Sequence, residues 1–469
     1  MNNLIVSAKI IYAAFLISFS YFAILTVYTC FLAVVALMEN RRRAKEDRME
    51  NYGYLFASTF TLSLSVVIPV HNEEDWVVNS VKSVLNNTYP ELEIIVVNDG
   101  SDDATLQNLK DSFQLKRVER DFTEHLHYGK IHEIFQSEIY PNMTVITKDG
   151  GFKKAGAVNA GLNFARQKYV AVVDADTILE PDAFTKVMAH VQKDPDNIIG
   201  VSSYFGMVNG FKIQDGWIME RNFSHNPIIA YQNLEYLRSL VLHRTAWSRF
   251  NAMPNVAGGF GIWRRDILMQ MGGYSAEFSC EDIELTFRIK DYLLENNMKE
   301  KKILMLPYYV GWTEGPANTR SLILQRNRWQ RVVNETIWHY RHMIFNPRHG
   351  TFAFLTLPYY LMYEVLGIFF EIPCIILVTW GFTTGLLDIN TFLAYFSFMI
   401  LSQVLISLLS IFIFIRDQRI FRMRDIIYFI ILSFLEFFWY RWLISFAKIS
   451  GFVSSLRGVK EYDQYKRVK

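Results

Sequence analysis

Asp174 and Asp176 stand two residues apart, directly after the apolar run Tyr169–Val173. In extended backbone that spacing turns both carboxylates to one side. Paired hard oxygen ligands suit Mg2+ or Mn2+ bridging a diphosphate, with the cation absorbing charge as a leaving group departs. Further groups with chemical capacity recur along the chain. Asp99 closes a second apolar run in Val97-Asn98-Asp99-Gly100-Ser101, where an ordinary Asp-Gly turn is the plainer alternative. Glu281-Asp282 opens a helical pattern, a place where acidic residues often only compensate the helix dipole. Gln325, Arg328 and Trp329 fall at i, i+3 and i+4 and share one face if helical. Arg328 can grip diphosphate oxygens, and Trp329 offers an aromatic plane for a sugar ring. The neighbouring Arg320, Arg326 and Arg331 equally permit a basic helix lying on a membrane surface.

Positioning such groups requires a scaffold, and residues 50–345 supply its pattern. Residues 63–69 form a short apolar run bounded by turn formers, which reads as a buried strand, and residues 73–86 follow with helical spacing. Strands are expected again at 93–97, 143–146 and 169–173, with a helix over 154–166. This alternation predicts an α/β fold, a doubly wound, mostly parallel sheet with helices on both faces. Ligands bind beyond the carboxyl ends of such strands, and Asp99, Asp174 and Asp176 occupy those ends.

Either side of this domain the composition changes. A hydrophobic share of 51% with 37 Phe is expected where several segments face acyl chains, so a lipid bilayer is a partner. The net charge of +2 provides no field for nucleic acid, and none is expected as a partner. Cys30, Cys280 and Cys374 show no paired spacing, which points to neither a disulfide framework nor a zinc site of cysteines and to a reducing compartment.

Residues 10–38 are nearly free of charge and as a helix reach roughly 40 Å, enough to span with some tilt. The stretch is too long for a signal peptide core and no small-residue cleavage site follows it. Arg41, Arg42, Arg43, Lys45 and Arg48 then place the next segment in the cytoplasm. Residues 352–382 and 392–415 read as two spans, followed by Arg416, Arg419, Arg422 and Arg424. Residues 426–446 are ambiguous, because Arg441 interrupts them between Tyr440 and Trp442 as an interface anchor would. The basic tail (Lys460, Lys466, Arg467, Lys469) favours a re-entrant hairpin or interfacial helix, whereas a plain fourth span would put it outside. Glu364, Glu371 and Glu436 lie in these stretches, where an unpaired carboxylate costs roughly 2.5–3.5 kcal/mol. They either line a wet path for a hydrophilic product or pair with Arg441 or the interface. The expected domains are 1–49 (first span and basic flank), 50–345 (cytoplasmic), 346–458 (membrane and interfacial helices) and 459–469 (tail).

The ordered set Asp99, Asp174-Ala175-Asp176, Glu281-Asp282 and Gln325-Arg326-Asn327-Arg328-Trp329, enclosed between hydrophobic spans, resembles the processive, membrane-embedded members of glycosyltransferase family 2. That group makes cellulose, chitin, hyaluronan and poly-N-acetylglucosamine. The resemblance covers residues 63–458. It implies a GT-A-like sheet, a UDP-sugar donor, a growing glycan acceptor, and Mg2+ or Mn2+ with Asp176 as the more direct ligand. It further implies Asp174 on the nucleotide sugar, Asp99 on the uracil ring, Pro69, Asn72 and Glu73 in the loop that cradles the base, and Lys154 near the diphosphate. Asp282, with Glu281 beside it, matches the general base, so transfer proceeds by single displacement with inversion. Gly258 and Gly259 match the acceptor-side loop, where glycine lets backbone approach a sugar closely. Gln325, Arg328 and Trp329 match the mark of polymerising members, with Trp329 at the acceptor. Trp312, in a further matching element, reads as acceptor wall or core. The implied enzyme is a multi-pass cell-membrane synthase with a cytoplasmic catalytic domain, and accessory export or modification proteins are admitted as partners. Two other readings stand beside it: transfer of a single sugar to a lipid or short acceptor, and a membrane scaffold that has lost activity. The scaffold predicts gaps in the acidic set, and the sequence has none.

Overall fold

A computed structural model describes residues 2–57, 60–151, 153–417 and 420–459. Arg419 and the tail residues Lys460, Lys466, Arg467 and Lys469 lie outside the described residues. The strands, in chain order, are β1 (Leu64–Val70), β2 (Leu92–Asp99), β3 (Leu115–Val118), β4 (Ile131–Ser137), β5 (Met143–Lys148), β6 (Tyr169–Val173), β7 (Thr177–Leu179), β8 (Ile198–Met207), β9 (Lys212–Gln214), β10 (Trp217–Glu220), β11 (Phe260–Arg264) and β12 (Lys302–Thr313). Ten of them form one sheet in the order β3-β4-β5-β2-β1-β6-β11-β8-β12-β7, and β9 and β10 form a separate hairpin.

The strands read from the apolar runs are the centre of that sheet, where β5, β2, β1 and β6 are all parallel. Outside them β4, β11 and β7 pair antiparallel, so the complete sheet is mixed. Period-two alternation explains why the centre has two cores. Val66, Ile68, Ile94 and Val96 join Val77, Val81 and Val84 of the Val77–Leu85 helix on one face. Val67, Ile95 and Val97 face the other way, onto Ala157, Val158 and Leu162 of the Lys153–Phe164 helix. Gly161 permits that contact, because a Cβ there would meet Val67 Cγ1 at 2.3 Å.

The first helix runs unbroken from Asn2 to Arg48. Lys9–Arg48 and Ile389–Arg416 are long and apolar enough to cross a membrane. Two further apolar stretches are bent pairs. Phe352–Val365 and Gly367–Thr383 meet at 47°, where the sequence suggests one span, and Met423–Phe438 and Tyr440–Leu456 meet at 57°. The second bend falls at Trp439, and the Tyr440–Leu456 helix turns back against the Thr319–His339 helix. Asn327 Nδ2 donates to Ser450 Oγ at 2.8 Å, and Gly451 is close enough that a Cβ would meet Asn327 O at 2.6 Å. Arg441 is not an interface anchor. Its guanidinium is mostly buried and bonded to Glu371, because the bend carries it inward.

Candidate active site

β1, β2 and β6 end side by side, and the groups beyond their carboxyl ends converge. Asp99 is the last residue of β2, 6% exposed. Its register partner in β5 is Lys148, whose buried ammonium bonds the Asp99 carboxylate. His71 Nδ1 lies 2.7 Å from Asp99 O, joining the loop after β1 to the end of β2. Burial pushes the Asp99 carboxyl upward, against the pull of Lys148. Asn72, at φ 55°, accepts from Asp102 N at 2.9 Å, while Glu73 N donates to Thr105 Oγ1 at 2.8 Å. These bonds shape the loop of Pro69, Asn72 and Glu73 into one wall of a cleft.

Asp174 and Asp176 follow β6, but the backbone between them turns instead of staying extended, with Thr177 N donating to Asp174 O at 3.0 Å. The turn sends the two carboxylates to different partners on the same rim. Asp176 Oδ1 accepts from Thr313 Oγ1 at 3.1 Å, because β7 pairs with the end of β12 in the register Thr313↔Thr177. Asp174 Oδ1 meets Lys154 Nζ at 2.5 Å. Lys154 stands in the first turn of the Lys153–Phe164 helix, and its ammonium also lies 3.2 Å from Glu281 Oε1 and 3.3 Å from Gly258 O. Gly258 and Gly259 precede β11, whose Phe260 pairs with Val173, and that register delivers both glycines to the turn that carries Asp174 and Asp176. A Cβ on Gly258 would sit 2.9 Å from Lys154 Nζ.

Glu281 and Asp282 start the Glu281–Glu295 helix. Glu281 is 6% exposed. Burial works to raise its pKa, and Lys154 together with Arg328 overcomes this and holds it below the usual carboxylate range. Asp174 ends on the other side of the balance. Burial raises it to about 6, Lys154 opposes, and Asp176 and Glu281 add to the rise. Two neighbouring carboxyls are thereby set apart by one shared ammonium. Asp282 Oδ1 accepts from Ile283 N at 2.8 Å and from the Cys280 thiol at 3.4 Å. Burial keeps Cys280 protonated by raising its pKa well above the ordinary value.

Asn318 caps the Thr319–His339 helix, accepting from Ser321 N at 2.9 Å. Gln325, Arg328 and Trp329 all face the cavity from this helix. Arg326 and Arg331 are 5% and 1% exposed, so the helix is not a basic surface element. Arg326 pairs with Glu235 and lies over the Trp329 ring, 4.1 Å from its centroid, which fixes the indole plane. Trp312 is core: fully buried, stacked on Tyr309, with its indole N–H donating to Glu180 at 2.6 Å.

The fourteen residues to which the resemblance assigns catalytic, donor, acceptor or metal roles, from Pro69 to Trp329, line one cavity of about 1520 Å³, and Trp312 does not. The cavity does not stop at the sheet. It continues between the apolar helices past Tyr359, Tyr363, Glu364, Glu371, Glu436, Arg441 and Lys448. The glutamates are both paired and cavity-lining: Glu364 with Lys448 at 2.8 Å, Glu371 with Arg441, and Glu436 with Arg238 at 2.7 Å. Lys148, Thr313 and Arg238 were not singled out by sequence. Lys148 carried a faint signal as a strand-end lysine, but its pairing with Asp99 depends on register.

Carboxylates thus collect beyond the ends of β2 and β6 of a GT-A-like core. Residues 65–270 match the family model described as Glycosyl transferase family 2, so the chain carries a glycosyltransferase domain of that family. The poly-beta-1,6-N-acetyl-D-glucosamine synthase of Staphylococcus epidermidis is 25% identical over 275 residues, 58% of this chain and 55% of that protein. The probable glycosyltransferase YdaM of Bacillus subtilis is 28% identical over 272 residues, 57% of this chain and 54% of that protein. The chain thus matches about half the length of these curated relatives. Among solved structures, the mannosyltransferase PcManGT from Pyrobaculum calidifontis in complex with GDP-Man and Mn2+ is similar at a TM-score of 0.46 and 15% identity, covering 84% of this chain and 99% of that one.

Proposed function

We propose that this glycosyltransferase is a processive, inverting synthase that moves a hexose or N-acetylhexosamine from a UDP-sugar onto a growing β-linked polysaccharide at the inner face of the cell membrane. One observation carries the reading. The cavity holding Asp99, Asp176 and Asp282 is continuous with a polar passage between the apolar helices, lined by Glu364, Glu371 and Glu436. A hydrophilic chain leaving the site has a hydrophilic path to follow. The basic flank Arg41 to Arg48 orients the catalytic domain to the cytoplasm.

In this reading the loop of Pro69, Asn72 and Glu73 and the Asp99 carboxylate hold the uridine, and Lys148 holds Asp99 in place and opposes the effect of its burial. Two carboxylates on one rim are a donor set of hard oxygens that fits Mg2+ or Mn2+, with Asp176 the direct ligand and Asp174 toward the nucleotide sugar. Such an ion, when bound, neutralises charge on the diphosphate. Lys154 and Arg328 supply fixed positive charge to the same oxygens. Trp329, held by Arg326, carries the acceptor sugar, and Gly258 and Gly259 admit it closely. The acceptor hydroxyl oxygen attacks the anomeric carbon, its proton passes to Asp282, and the electron pair of the breaking glycosyl bond leaves with UDP.

Purified protein in nanodiscs, given Mn2+ or Mg2+ and a panel of UDP-sugars, is expected to make a long labelled polymer. A single-sugar lipid adduct as the only product would overturn the processive reading in favour of transfer to a short acceptor. Asp282→Asn is expected to abolish transfer while leaving UDP binding nearly intact, and strong residual turnover would reassign the base.

A further inference from the structure

A second cluster of ligating side chains lies outside the cavity. Asp291 sits near the end of the Glu281–Glu295 helix, while His342 and His349 occupy the short turns Arg341–Met343 and Pro347–His349, between the Thr319–His339 helix and the apolar segment that begins at Phe352. One ligand atom from each of the three lies within 4.8 Å of the others. We propose that these residues bind a transition-metal ion of the zinc type that staples the helix carrying Asp282 to the entrance of the membrane bundle.

The geometry fits the ion. Tetrahedral bonds of about 2.0–2.2 Å put ligand atoms about 3.3 Å apart. His342 Nε2 is 3.1 Å from Asp291 Oδ2, and His349 Nε2 is 3.6 Å from Asp291 Oδ1. A plain hydrogen bond accounts for the first contact only. The His349 side chain is 3% exposed, yet its ring nitrogen stops short of hydrogen-bond distance from the carboxylate it faces. A bridging ion explains both separations. Two imidazoles and one carboxylate select zinc, cobalt or nickel over magnesium or calcium, so the ion differs in kind from the hard cation suited to Asp176. Asn346 ties the two histidine turns together, donating to His342 O at 3.2 Å and accepting from Arg348 N at 3.1 Å. Lys290 turns away from the cluster, its ammonium donating to Asn251 O at 2.6 Å. The His342 side chain is 53% exposed, which leaves an entry path and room for water as a fourth ligand.

The mechanical consequence follows from connectivity. Asp291 and the base Asp282 ride on one rigid helix. Tyr340 OH already donates to Glu284 on that helix at 2.9 Å, and the ion adds a second tie about two turns on.

The test uses tag-free, full-length protein in detergent, stripped with EDTA and kept in excess Mg2+, so that hard-ligand sites are filled. Calorimetric titration with Zn2+ is expected to show one saturable site per chain, and Co2+ is expected to give the intense visible absorption of tetrahedral coordination. His342→Ala, at a half-exposed position, should weaken Zn2+ binding by about tenfold or more and remove the Co2+ spectrum. Zn2+ should raise the melting temperature of the wild type and not of His342→Ala. Equal Zn2+ binding by wild type and His342→Ala, or binding abolished by Asp176→Asn instead, would overturn the proposal. These readouts do not involve sugar transfer, so they stand or fall separately from the proposed synthase activity.

Discussion

Lys154 and Asp174 meet at 2.5 Å, and the same ammonium reaches Glu281 at 3.2 Å. One cation therefore joins the carboxylate after β6 to the acidic pair that opens the Glu281–Glu295 helix, groups more than a hundred residues apart in the chain. Removing it leaves two crowded carboxylates facing each other across the cleft.

Lys154→Met is expected to reduce kcat/KM by at least about 100-fold, which corresponds to about 2.7 kcal/mol of lost transition-state stabilisation. The melting temperature should move little, because Lys154 lies at the cavity rim. Steady-state kinetics with a UDP-sugar, beside a thermal melt, checks both halves. A large stability loss with unchanged kinetics would make Lys154 structural only.

Lys148 is fully buried against Asp99. Lys148→Met leaves a buried carboxylate without its cation and is expected to destabilise the fold by about 3–5 kcal/mol, with UDP binding lost alongside. The double variant Lys148→Met/Asp99→Asn should recover most of the stability and none of the binding. Denaturation curves and UDP titration of the three variants measure it.

Gly451 lies where a Cβ would meet Asn327 O at 2.6 Å and Gln330 Cβ at 2.7 Å. Gly451→Leu is expected to cost about 1–3 kcal/mol by overpacking and to push the Thr319–His339 helix away from the site. Transfer should fall while UDP affinity, assigned in the proposed function to the Asp99 pocket, is retained. Parallel transfer assays and UDP binding distinguish this from general unfolding.

His190 connects the sheet to the first helix, with Nε2 2.8 Å from Tyr308 OH and Nδ1 3.4 Å from Arg43 Nη1. Burial, then the Arg43 charge, lowers its pKa to about 3, so it is neutral in the fold and takes a proton when unfolded. Stability on this account is complete above the ordinary histidine range near pH 6.5 and declines as pH falls toward 3, by up to about 1.4 kcal/mol per pH unit. Thermal melts between about pH 7.5 and pH 5.5 should show this decline in the wild type and a shallower one in His190→Gln.

Much of the site was legible because its groups sit where short apolar runs end. A buried parallel strand shows itself as a continuous apolar stretch, and Asp99, Asp174 and Asp176 close such stretches. The strands β8, β11 and β12 were less visible, since β11 is short, β8 mixes aromatics, glycines and serines, and β12 holds a proline, a glycine and aromatics, all in non-local pairing. The extended geometry expected for Asp174-Ala175-Asp176 proved to be a turn, because β7 leaves β6 for the far edge of the sheet.

The amino-acid sequence alone determined which candidate groups for chemistry the chain carries and that they lie between apolar segments, since residue type and local periodicity are written in order along the chain. Only the tertiary structure decided their partners. Lys148 reaches Asp99 through strand register, Lys154 bridges Asp174 and Glu281 through helix placement, and Glu364, Glu371 and Glu436 each find a different cation across the bundle. Those contacts join residues far apart in the chain, and a buried charge is tolerated only where packing delivers its counter-charge.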